Sequence, residues 1–405
     1  MFDAVGTAAG PTRAVHDQIS SLVYGSVRLG LGAGAGAVAA VARLVGANRE
    51  QRPLTRSPAG RLVVSAVNGL FGDRLEAQGN DLAVELALRA DGHDVAVEPG
   101  ALAAAFPTAT GRIVLFTHGL AGNEATWRLG AAQPGPDGRP LGTYGERLAA
   151  EAGWTPTYLR YNTGLPVLEN GHRIAALVDE LVAAWLVPVH DIALVGHSMG
   201  GLVARSAAHD AASQQAHWVE RLRHVVCLGS PHHGSWLEQS IHLVAASLDI
   251  APESRPLAAV LDLRSRGIKD LRRGKPLDDV PPVPGVAYSF LAATLSADPG
   301  RGVGWLVGDV LVRYPSAAAH TRDTEPPSPA VELVNVRHVP RLNHIQLLNN
   351  RQVADQLATW LAPTAHQPSA STLGRRDPAA AVCPPAARTA ETAKVTARRF
   401  GGRRP

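Results

Sequence analysis

Sulfur and aromatic rings are scarce in this chain. Of 405 residues, two are cysteine and two methionine, and aromatics make up 5%. Cys227 lies in the apolar run Val225-Val226-Cys227-Leu228, and Cys383 lies in a proline-rich stretch. No disulfide is expected from this pair, so the redox compartment is unconstrained. A membrane span is missing as well. Between Arg28 and Arg43 lie fourteen uncharged residues, short of the roughly 20 that cross a bilayer. A secretory leader would open on basic residues, whereas Asp3 and Asp17 sit among few positive ones. Gly32, Gly34 and Gly36 echo a nucleotide loop, but no buried strand precedes them. Residues 19–46 instead read as a partly helical segment packing on the rest, with weak contact to a membrane surface as the alternative. Abundant alanine and glycine point to a high-GC bacterial coding bias, and the expected location is the bacterial cytoplasm.

Acidic residues are sparse in the last stretch of the chain. From residue 363 onward there are eight basic residues against Asp377 and Glu391, a local charge of +6. The formal total is +4, which leaves about −2 on the remainder. The segment's Ala, Pro, Ser and Thr content cannot build a core, so 363–405 reads as a disordered basic tail. No nucleic-acid-binding domain is indicated.

What the chain does have is Leu194-Val195-Gly196-His197-Ser198-Met199-Gly200-Gly201, a G-x-S-x-G run. Residues 191–195 before it read as a short buried strand, and residues 200–210 after it as a helix. A serine between strand and helix sits on a sharp turn with its hydroxyl exposed at the carboxyl edge of a sheet. Gly196 and Gly200 leave room where strand and helix meet.

Such a serine needs a base, and the base an orienting acid, in the chain order Ser, Asp or Glu, His. Residues 332–336 read as a last strand. A loop, Asn343-His344 and a helix ending near Trp360 follow it, so His344 is the expected base. His338 lies too close to the strand to swing over the sheet. Residues 285–291 read as the strand before. Beyond it, Asp309 in Gly308-Asp309-Val310 is the expected acid, ahead of Asp298 in a plain turn and Asp323 in a polar loop. Residues 112–117 read as a buried strand followed by His118-Gly119-Leu120. The backbone N–H groups of Leu120 and Met199 are the expected oxyanion donors. His118 precedes the serine and is expected to pack and hold its loop.

The stretches Phe116-Thr117-His118-Gly119-Leu120, Gly196-His197-Ser198-Met199-Gly200-Gly201, Leu228-Gly229-Ser230-Pro231-His232-His233-Gly234-Ser235, Gly308-Asp309-Val310-Leu311-Val312 and Asn343-His344 occur in that order over residues 112–361. Together they resemble the α/β-hydrolase superfamily, lipase and esterase type. They are similar to the bacterial group related to triacylglycerol lipases and to inositol deacylases of GPI anchors. Ser230 stands where such lipases usually carry threonine. The resemblance implies a mostly parallel central sheet with helices on both faces, and ester hydrolysis through an acyl-serine with no cofactor. The expected substrate is a small-molecule or lipid ester. No zinc or calcium ligand set is visible. His232 and His233 are adjacent, would point opposite ways in an extended segment, and are expected to shape the pocket floor.

The remaining organisation is coarser. Residues 1–80 read as an N-terminal helical extension, with Asn68-Gly69-Leu70-Phe71-Gly72-Asp73 a structural stretch. Residues 81–362 read as the hydrolase domain. Residues 82–88 and 93–97 read as a hairpin across Asp91-Gly92, residues 154–161 as a strand, and residues 169–186 as an amphipathic helix. Residues 235–284 interrupt the core as a lid-like insertion. Its apolar start, with Trp236 and Ile241, is expected to line an acyl pocket.

Overall fold

The computed structural model describes residues 58–135, 137–232, 265–273, 280–295 and 334–362. Among the described residues eight strands form one sheet: β1 Ala87–Ala90, β2 His93–Val95, β3 Arg112–Thr117, β4 Thr155–Arg160, β5 Asp191–His197, β6 Leu222–Leu228, β7 Ala287–Thr294 and β8 Val334–Pro340. Their order is β2-β1-β4-β3-β5-β6-β7-β8. β1 pairs antiparallel with β2 and β4, and every other pairing is parallel. The β1–β2 turn uses Asp91 at φ 47° and Gly92 at φ 80°, the two left-handed residues of a hairpin whose twist matches its strands.

Helices cover both faces, which is why the central strands are apolar at successive positions. The described helices are α1 Pro58–Ala77, α2 Pro99–Ala105, α3 Tyr144–Ala152, α4 Val167–Ala184, α5 Met199–Ser213, α6 Arg266–Arg273 and α7 Arg351–Trp360. Alternate strand residues serve opposite faces. Ile113, Leu115, Ile192, Leu194, Val225 and Cys227 pack with α4 and α5 through Ile174, Val178, Leu202 and Val203. Val114, Phe116, Ala193, Val195, Val226 and Leu228 pack with α3 and α7 through Tyr144, Leu148, Val353 and Leu357. This is the α/β-hydrolase fold that the motifs imply.

The first hairpin strand starts at Ala87 rather than at residue 82. The reason is a side chain. Asn68 of α1 donates to Leu82 O (2.7 Å) and accepts from Val84 N (2.9 Å), so these backbone groups are taken before a ladder can use them. Leu82 packs with Val64, Val67 and Leu75 of α1. Asn68 through Asp73 thus form part of a packed helix. Among the described residues no helix is long and apolar enough to cross a membrane. The expected tail lies outside them, as does most of the expected insertion.

Candidate active site

Ser198 stands between β5 and α5 at φ 56°, ψ −126°. This is strained for a residue with a Cβ and persists only where its surroundings hold it. Three contacts do so here. Ser198 N–H donates to Leu228 O on β6 (2.9 Å), and Ser198 O accepts from Gly201 N (3.1 Å). Gly119 lies so close that a Cβ there would be 3.0 Å from Ser198 Cβ. A Cβ on Gly196 would collide with the backbone of Gly200, and one on Gly200 with the carbonyls of Thr117 and His118. The glycine spacing of the motif is therefore a packing requirement between β3, β5 and α5.

Met199 opens α5 and is fully buried. N–H groups in a helix's first turn have no acceptor within the helix. Leu120 follows Gly119 in the loop after β3, beside the serine. His118 packs as expected. Its ring stacks on Tyr161 at 4.3 Å, its Nδ1 donates to Gly119 O (3.0 Å) and its Nε2 accepts from Tyr161 N (3.4 Å). Burial pushes its pKa down to about 4, so a neutral ring holds the loop.

His344 lies in the turn after β8 and is 4% exposed. Asn343 shapes that turn by accepting from Ile345 N (3.1 Å) and Gln346 N (2.9 Å), while Gln346 Oε1 accepts from Asn343 N (2.9 Å). The neighbour of the serine reaches this turn directly. His197 Nε2 donates to His344 O (3.1 Å), and the two rings are 4.7 Å apart. Burial first, then the nearby His344, pushes the His197 pKa down to about 3. It stays neutral and serves as a fixed donor. This bond ties the elbow directly to the His344 turn. His338, in contrast, is within β8, with Nε2 2.8 Å from Thr294 Oγ1.

Two further residues fix the His344 turn. Asn349, at φ 52°, donates to Trp127 O (2.7 Å) and Leu129 O (2.8 Å) and accepts from Tyr144 N (2.8 Å). Tyr144 OH donates to Leu347 O (2.5 Å) and accepts from Asn350 N (3.0 Å). The histidine turn, the loop after β3 and the start of α3 are one hydrogen-bonded unit. Sequence reasoning missed His197, Asn349 and Tyr144. The only signal available was the run Asn343, Asn349, Asn350 around a buried stretch, which marks tight turns.

Ser198, His197, His344, Gly119 and the Leu120 and Met199 backbones therefore gather at the carboxyl edge of β3, β5 and β8. Asp309, Asp298, Asp323, Trp236, Ile241 and His233 lie outside the described residues. His232 is buried and its Nδ1 lies 2.9 Å from Arg205 Nη1. Cys227 is buried and free, its thiol pushed up to about 12 by burial. Among the described residues no three His, Cys, Asp or Glu side chains are grouped to hold a metal ion.

Residues 172–254, from the middle of α4 through Ser198 and β6, match the family model described as the PGAP1-like alpha/beta domain. No curated protein sequence matches the chain. Among solved structures, the mature lipase BlEst2 of Bacillus licheniformis is 17% identical with a TM-score of 0.41, over 69% of this chain and 98% of that one. The RedJ thioesterase of the prodiginine pathway in Streptomyces coelicolor is 20% identical with a TM-score of 0.38, over 63% and 92%. The lipase of Staphylococcus hyicus is 12% identical with a TM-score of 0.39, over 61% and 91%. The sheet order and the strained serine at the head of α5 are those of an α/β-hydrolase fold, and residues 172–254 are similar to the PGAP1-like alpha/beta domain.

Proposed function

We propose that the chain is a serine hydrolase cleaving carboxylic esters through an acyl-serine. The observation that carries this reading is Ser198 itself, held at φ 56° by close glycines at the head of a 15-residue helix. Such strain serves no packing need that a glycine would not meet better, and it lifts Oγ to where a substrate carbonyl can reach it.

In this mechanism Ser198 Oγ attacks the ester carbonyl carbon while His344 takes its proton. The C–O π electrons move onto the carbonyl oxygen. That oxyanion is bound by the N–H groups of Leu120 and Met199, the latter at the positive end of α5. The tetrahedral species collapses, and His344 returns the proton to the leaving alcohol. Water then repeats the attack on the acyl-enzyme. His197, neutral at all working pH values, donates to the His344 carbonyl and keeps the base beside the serine. Asp309 is assigned as the acid that orients the imidazole, and Trp236 and Ile241 as acyl-pocket residues.

The test is hydrolysis of p-nitrophenyl esters from acetate to palmitate by wild type and by Ser198→Ala. The wild type should turn over, and the substitution should lower turnover by several orders of magnitude. Equal turnover by both proteins would refute the acyl-serine reading. The same panel with thioesters and amides reports the leaving group that the site accepts.

A further inference from the structure

The loop that carries Leu120 is held from an unexpected side. Ala121, next in the chain, sits in the left-handed region at φ 57°, which a residue with a Cβ keeps only when neighbours hold it. Two neighbours do. Ala121 N–H donates to Thr163 Oγ1 at 3.1 Å, in the turn after β4. Gly69 of α1 lies directly against Ala121. A Cβ on Gly69 would be 2.9 Å from Ala121 Cβ and 3.1 Å from its Cα. Further along, Asn123 Nδ2 donates to Ser65 Oγ of α1 (3.1 Å), and Gly122 N–H closes on Gly119 O (3.1 Å).

The same two supports seat the start of α6. Ser265 Oγ donates to Gly69 O (2.6 Å), and Arg266 N–H to Asp73 Oδ2 (3.0 Å). Gly267 N–H donates to Gly164 O (3.0 Å), and a Cβ on Gly267 would collide with Thr163 O. Thus α1, which precedes the first strand, stands between the oxyanion loop and the helix that follows residues 233–264 in the chain.

We propose that Thr163 and Gly69 are positioning residues for the oxyanion hole, and that α6 bears on the hole through them. The inference rests on the serine-hydrolase reading above. Only the φ and ψ of Leu120 separate its own peptide N–H from the Ala121 N–H that Thr163 pins. Release of Ala121 lets the Leu120 N–H swing away from the carbonyl oxygen of a bound ester. Deleting a donor outright costs about 10²–10³ in turnover. Misaiming one is expected to cost about 10–100-fold in kcat, with KM changed less than about threefold, because the donor matters most when charge develops.

The experiment uses the full chain as wild type, Thr163→Val, Thr163→Ser, Gly69→Ala and Ser265→Ala. Active sites are titrated with an alkyl fluorophosphonate. Then kcat and KM per titrated site are measured on a p-nitrophenyl ester, together with inhibition by a trifluoromethyl ketone, whose hemiketal oxyanion occupies the hole. Thr163→Val and Gly69→Ala should lose kcat and ketone affinity in parallel. Thr163→Ser, which keeps the acceptor, should recover to within about threefold, and Ser265→Ala should show a smaller loss of the same kind. Values per titrated site within about twofold of wild type for Thr163→Val and Gly69→Ala would overturn the inference. So would a loss confined to the titrated fraction and melting temperature, which marks a merely structural role. Failure of the underlying reading shows separately, as a wild type that neither takes up fluorophosphonate nor hydrolyses any ester.

Discussion

Replacing Asn349 by alanine should destabilise the protein by about 3–8 kcal/mol. Asn349 is 2% exposed and its amide satisfies three backbone groups: Trp127 O, Leu129 O and Tyr144 N. Tyr144 and Trp127 are buried, while Leu129 is 47% exposed, so water can replace the bond to Leu129 O. Two bonds are then left unmade in the interior, at about 1–3 kcal/mol each. Alanine at φ 52° adds about 1–2 kcal/mol, because asparagine tolerates the left-handed region and alanine does not. Against a typical total of about 5–15 kcal/mol, this is a severe change. Asn349→Gly separates the contributions. It loses the same hydrogen bonds but relaxes the backbone, and should recover about 1–2 kcal/mol relative to alanine. The assay is urea unfolding followed by tryptophan fluorescence, with stability read from the midpoint at constant slope. Because the amide also ties the His344 turn to the loop after β3, kcat should fall under conditions where the variant is still folded. Stabilities of both variants within about 1 kcal/mol of wild type would show that the amide does not hold these loops together. Equal losses for Ala and Gly would refute the backbone part alone.

The other predictions concern protons and thiols. His197, His118 and His224 are held down to about 3, 4 and 4, in each case mainly by burial, against about 6.5 in the unfolded chain. The folded state stays neutral where the unfolded chain takes up protons, so the stabilisation is complete above pH 6.5 and drains as pH falls towards the folded values. With three protons, the slope reaches about 4 kcal/mol per pH unit between about pH 6 and 4. Urea midpoints at pH 7.5, 5.5 and 4.5 should fall accordingly, His224→Phe should reduce the slope by about a third, and a pH-independent midpoint would contradict this. Cys227, its thiol pushed up to about 12 in the core, should resist iodoacetamide at pH 8 until urea opens the fold, as mapped by mass spectrometry at that residue.

The parts of the fold legible in the sequence are those set by local pattern. β3 covers residues 112–117 as read, and β5 extends its expected run by only two residues, because strands buried on both faces are continuous apolar runs between polar turns. The helix read over residues 169–186 appears as α4, Val167–Ala184, its period set by one buried face. The β1 boundary was not legible, since Asn68 competes for the backbone of Leu82 and Val84 from fourteen or more residues away. The same divide runs through the site. Ser198 and His344 carry local signatures: a glycine-spaced elbow and a histidine in the turn after the last strand. Asn349 acts on Tyr144 across more than two hundred residues, and Thr163 acts on Ala121 across forty-two. Their asparagine and threonine look like any turn residues until the fold brings the loops together.

If Ser198 is the nucleophile of an acyl-transfer site, a fluorophosphonate should label it covalently, with the modified residue located by mass spectrometry. Stoichiometric modification at Ser198 is expected, with loss of ester hydrolysis in step with it. Addition of p-nitrophenyl butyrate should protect both. Absence of labelling at Ser198 in folded protein, or hydrolysis that persists after Ser198 is fully modified, would contradict that role for Ser198.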